Sequence, residues 1–172
     1  MINEERLRAA PGEEEAQTIY HEVAAKGDFV GFAQHFAYHE DPKIARNALW
    51  TLTKASDNEL AQLQGMLNGL INLAMTTEAS SVRRLSLNIV ERLKMGEEDL
   101  RTDFLDFCLS HMVDIGEFPG IQTLCMKLAY RMCGFYPELM GEFMRTVEGL
   151  RADYYKPAVK CLRNRILTGK LK

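Results

Sequence analysis

The chain has 172 residues, of which 47% are hydrophobic and 26% charged, with 5 Pro, 12 Gly and a formal net charge of −3. Such values fit one globular domain with a continuous core and exclude fibrous and disordered classes. No run approaches the ~18 apolar residues of a membrane span, and the polar start Met1-Ile2-Asn3-Glu4-Glu5-Arg6 lacks the basic-then-apolar pattern of a secretory signal, so a cytoplasmic location is expected.

Residues 1–12 read as a flexible lead-in closed by Pro11-Gly12, and residues 13–172 as a single domain. Glu13, Glu14 and Glu15 place negative charge at the start of a capping helix over about 13–26, where the helix dipole favours it. Gly27 and Asp28 end that helix and cap the next. From Phe29 onward the chain repeats a pair of helices, A then B, in hairpins at about 28–54, 57–95, 97–133 and 135–168.

The A helices keep one register at an offset of 38 residues. Phe29, Leu67, Leu105 and Phe143 share one position, Ala33, Ile71, Leu109 and Val147 a second, and Phe36, Ala74, Met112 and Leu150 a third. The B helices follow suit, with Ile44, Val82, Ile121 and Val159 spaced by 38, 39 and 38 residues. A period of this length means stacked helical hairpins. Pro42, Pro119 and Pro157 sit where a first helical turn tolerates a missing N–H, Pro137 does the same for the fourth A helix, and Ser80 or Ser81 is expected to cap the remaining B helix. Ser56 with Glu59 fits a capping box, and Gly96 and Gly134 sit where helices should end.

The segment Val82-Arg83-Arg84-Leu85-Ser86-Leu87-Asn88-Ile89-Val90 resembles the second helix of a HEAT repeat, and the paired helices over roughly 28–168 resemble HEAT or armadillo proteins. The resemblance implies an all-α, right-handed α-α superhelix of about four hairpins plus an N-terminal helix. It also implies an aspartate in the turn before a B helix paired with an arginine inside it, a part that Asp41 and Arg46 fit.

Charge is segregated between the two kinds of helix. The B segments carry 15 basic residues against two acidic ones, and the rest of the chain carries six against 22. B helices line the concave side of stacked hairpins, so an electropositive inner face is expected to attract an anionic partner. Projection at about 100° per residue puts Arg46, Trp50, Arg84, Asn88, Lys127 and Arg165 on that face, with Tyr130 and Arg131 close by. The single tryptophan thus falls among cations, an arrangement that can stack a ring while cations hold phosphate or carboxylate. The same residues have a packing alternative, with Trp50 wedged between the first two hairpins and the arginines bridging repeats.

Other chemistry is sparse. His35 and His39 are i, i+4 neighbours beside Glu40 but have no third ligand, so solvent-facing histidines are expected and no metal. Cys108, Cys125, Cys133 and Cys161 lack Cys-x-x-Cys spacing and read as small hydrophobes or bystanders. No phosphate loop or nucleophile elbow occurs. The expected function is a non-catalytic adaptor, without cofactor, whose concave face binds an acidic protein segment or other polyanion. One alternative is nucleic-acid binding, resembling DNA-alkylation-repair proteins built from HEAT-like repeats, to which Trp50, Arg46 and Arg84 would contribute. The catalytic version needs an inner-face aspartate, and the B helices hold only Asp41 at an N-terminus. A second alternative is a subunit of an assembly or homo-oligomer, with Leu49, Leu87 and Met126 forming an apolar row between repeats or at an interface.

Overall fold

A computed structural model describes residues 1–9 and 12–171 of the chain. Pro11, which closes the expected lead-in, and Lys172, one of the counted basic residues, lie outside the described residues. The described residues form helices and turns with no strand. Their contacts group into two compact units, Met1–Lys94 and Met95–Lys172.

In the first unit the start of the chain departs from expectation. Where a loose lead-in is expected, α1 (Glu4–Ala9) forms and Leu7 is fully buried. Arg6 secures it through Glu15 and Glu22, each at 2.7 Å, and Arg8 through Asp41 at 2.8 Å. One buried leucine and three ion pairs with later residues are invisible to local periodicity. The next two helices follow their punctuation. Helix α2 (Glu13–Lys26) ends at Gly27, whose φ of 69° suits glycine, and α3 (Phe29–Phe36) is capped by Asp28, which accepts from the Gly31 N–H.

Helix α4 (Pro42–Thr53) starts at its proline with Asp41 as cap, and its core residue Ile44 is fully buried. The second A segment is not one helix. It runs as α5 (Asp57–Leu60), opened by the Ser56–Glu59 capping box, then a 3₁₀ stretch (Ala61–Met66), then α6 (Leu67–Thr76). Gly65 weakens the α-helix there. Gln64 is also tied to Lys94 by reciprocal hydrogen bonds of 2.7 and 2.9 Å. Helix α7 (Ser80–Arg92) packs on both α6 and α4. Its cap is Ala79, not Ser80 or Ser81. The turn is held instead by Thr77 Oγ1, which accepts from the Ala79 N–H.

The second unit contains α8 (Thr102–Val113), α9 (Pro119–Cys133), α10 (Pro137–Gly149) and α11 (Pro157–Leu167), with prolines opening the last three. Helix α9 packs on α8, α10 and α11. Cys108, Cys125 and Cys133 are buried among its apolar side chains and Cys161 is exposed. Burial pushes the Cys108 thiol well up, and hydrogen bonding to Cys125 adds to the shift.

The aligned register holds in both units: Phe29, Leu67, Leu105 and Phe143 are all buried, as are Ile44, Val82, Ile121 and Val159. At the other two A positions Leu109 and Leu150 are only half-buried. Leu49, Leu87 and Met126 have no exposed surface, so that row is spent on packing within the chain.

Candidate functional site

Helices α4 and α7 pack side by side in the first unit, and their equivalent positions face one cavity. Arg46 and Arg84 stand two residues after the core Ile44 and Val82, and Trp50 and Asn88 six residues after. These four line a cavity of about 330 Å³ with Thr53, Ser81 and Leu85. Four of the eight expected contact residues are thus brought together. Thr53, Ser81 and Leu85 were missed, although the spacings 46-50-53 and 81-85-88 are those of a single helix face.

The two arginines differ in how they are held. Arg46 donates through Nε and Nη2 to Asn47 Oδ1 at 3.1 and 2.9 Å, and buried Asn47 donates in turn to the Leu7 carbonyl at 2.6 Å. Docking of α1 therefore fixes the amide that holds Arg46. The expected Asp41–Arg46 pair does not form. Asp41 is taken by Arg8, and that hydrogen bond, with one from the Lys43 N–H, holds its carboxyl below the usual range. Arg84 is exposed and forms no hydrogen bond or ion pair among the described residues. Both guanidinium groups thus remain without a carboxylate partner.

Trp50 is half-buried, with the Lys54 ammonium 5.6 Å from its ring centroid, inside cation–π range. Lys54 also pairs with Glu13, and Thr53 Oγ1 donates to the Trp50 carbonyl. The indole is therefore a held wall of the groove. Asn88 is half-buried, and neither its amide nor the Ser81 hydroxyl is engaged among the described residues.

Several other basic residues of the B helices are occupied. Arg83 donates to the carbonyls of Ala74 and Thr77 at 2.9 and 2.6 Å, and Arg163 to those of Val147 and Glu148 at 2.9 and 3.1 Å. Gln122 makes the like contact to Asp114 at 2.6 Å. All three bond carbonyls in the last turn of a helix or just beyond it, where intrahelical partners run out. Arg92 likewise bonds the carbonyls of Thr53 and Ala55. Part of the charge segregation is thus structural. Replacing Arg83 with alanine is expected to cost about 1.5–3 kcal/mol, read as a lower denaturation midpoint in urea with unchanged slope.

The remaining expected contact residues belong to the second unit. Lys127 is half-buried and Arg165 exposed, with neither side chain paired among the described residues. Tyr130 packs its ring against Phe143 at 5.8 Å, and Arg131 is half-buried. His39 lies beyond the end of α3, where it accepts from the Asp41 N–H and approaches Glu4 at 3.3 Å, while His35 packs edge-on against Phe36. No helix among the described residues is long and apolar enough to cross a membrane.

A family model described as a HEAT repeat domain matches residues 3–170. No curated protein and no solved structure matches the chain.

Proposed function

The chain belongs to the HEAT-repeat family, and from that premise we propose that it is a non-catalytic helical-repeat adaptor holding an acidic segment of a partner protein between α4 and α7. HEAT repeats commonly mediate protein interactions. The observation that carries the proposal is the groove itself: two guanidinium groups without a carboxylate partner flank a held tryptophan. Arginine and tryptophan are the residues that most often dominate binding energy at protein interfaces. In the second unit, Lys127, Tyr130, Arg131 and Arg165 on α9 and α11 are proposed as a separate anion-contacting surface.

Trp50 is the only tryptophan, so its fluorescence reports on the groove directly. Titration with polyglutamate is expected to give a saturable change that weakens modestly between low and moderate salt. Single- or double-stranded oligonucleotides are expected to bind more weakly. A tighter, steeply salt-dependent response to oligonucleotides, the mark of counterion release, would transfer the site to nucleic acid.

A further inference from the structure

Resting on the same groove, the chemistry of the bound anion can be narrowed by matching charge and donors. The lining contains two guanidinium groups and no carboxylate, together with the unengaged Asn88 amide and Ser81 hydroxyl. A guanidinium carries five N–H donors, and Arg46 directs only Nε and Nη2 at Asn47. An aspartate or glutamate side chain brings one charge and two oxygens, which leaves one guanidinium without a counter-charge. A phosphomonoester brings a charge of about −1.5 to −2 and three strong acceptor oxygens, matching both.

We propose that the groove is a receptor for a phosphorylated side chain of the partner protein. Arg46 and Arg84 take the phosphate, Asn88 and Ser81 supply further donors, and the rest of the modified side chain lies along Trp50. The site is partly organised before binding. Arg46 is held through Asn47 to the Leu7 carbonyl, and Trp50 is held by Lys54. Arg84 is the element that remains to be ordered, and ordering one side chain is a modest cost against two charge-assisted contacts.

The test is a titration of the full chain, followed by Trp50 fluorescence and calorimetry. The probes are short peptides that differ only at a central serine, phosphoserine, phosphotyrosine or aspartate, with inorganic phosphate and oligothymidylate as separate arms. A phosphopeptide is expected to bind at least about tenfold more tightly than its aspartate counterpart. Inorganic phosphate should compete weakly, and Arg84→Lys should lose most of the preference because a lysine cannot form a bidentate fork. Equal affinity for aspartate and phosphoserine peptides, lost in Arg84→Glu, would overturn the phosphate assignment and leave the acidic-segment reading standing. Absence of binding by every peptide would overturn both. Tighter binding of oligothymidylate than of any peptide would assign the groove to nucleic acid instead.

Discussion

Reversing Arg46 and Arg84 together to glutamate is expected to abolish binding of anionic peptides, with an affinity loss of about a hundredfold or more, while helical content and melting temperature stay nearly unchanged. Each charge-assisted hydrogen bond contributes about 1.5–3 kcal/mol. Losing two removes at least about 3 kcal/mol, roughly two decades in Kd, before the new repulsion is counted. Folding should be insensitive to Arg84, which is exposed and pairs with nothing among the described residues. Among the described residues Arg46 hydrogen-bonds only to Asn47 Oδ1. Because Asn47 also anchors α1, the single variant Arg84→Glu is the cleaner comparison. Circular dichroism and calorimetry of both variants distinguish the outcomes. Retained binding would remove the groove from consideration, and loss of the fold would show that the arginines hold the helices together.

Leu87→Ala is expected to lower stability by about 2–5 kcal/mol, the usual range for truncating a fully buried leucine. Leu87 and Leu49 have no exposed surface, so the deletion leaves a cavity in a packed interior. Chemical denaturation should show a lower midpoint with little change in slope, and size-exclusion chromatography should show no change in association state. An intact midpoint accompanied by dissociation would instead place the apolar row at an interface between chains. Burial decides against that outcome, because a side chain with no exposed surface within its own chain has none left to offer a second copy.

Much of the helical repeat is legible in one chain because its cause is local. Four A segments keep the same face apolar at one offset, and prolines at 42, 119, 137 and 157 occupy first turns. Proline at that position, a glycine at positive φ and a serine–glutamate box each act within a few residues. The departures occur where a distant partner decides. Ser80 and Ser81 are good caps by type, yet Thr77 holds the turn and α7 begins after Ala79. Asp41 stands where a repeat aspartate would meet Arg46, but Arg8, 33 residues away, reaches it instead.

The candidate site divides along the same line. Helical periodicity alone places Arg46, Trp50, Arg84 and Asn88 on equivalent faces of two helices, because equal spacing from a buried residue means equal direction. The same projection separates Arg84 from adjacent Arg83, but it gives Arg83 no partner. Rotation by one residue turns Arg83 onto the carbonyls of Ala74 and Thr77 and leaves Arg84 to solvent. Amino-acid order by itself thus determined the all-helical repeat, its buried register and the segregation of charge, which follow from local propensity and apolar period. Only tertiary structure decided that α1 forms and docks, that Asn47 links it to Arg46, and which arginines remain unpaired. Those outcomes depend on groups 6 to 40 residues apart being brought within hydrogen-bonding distance, and no local pattern encodes such a meeting.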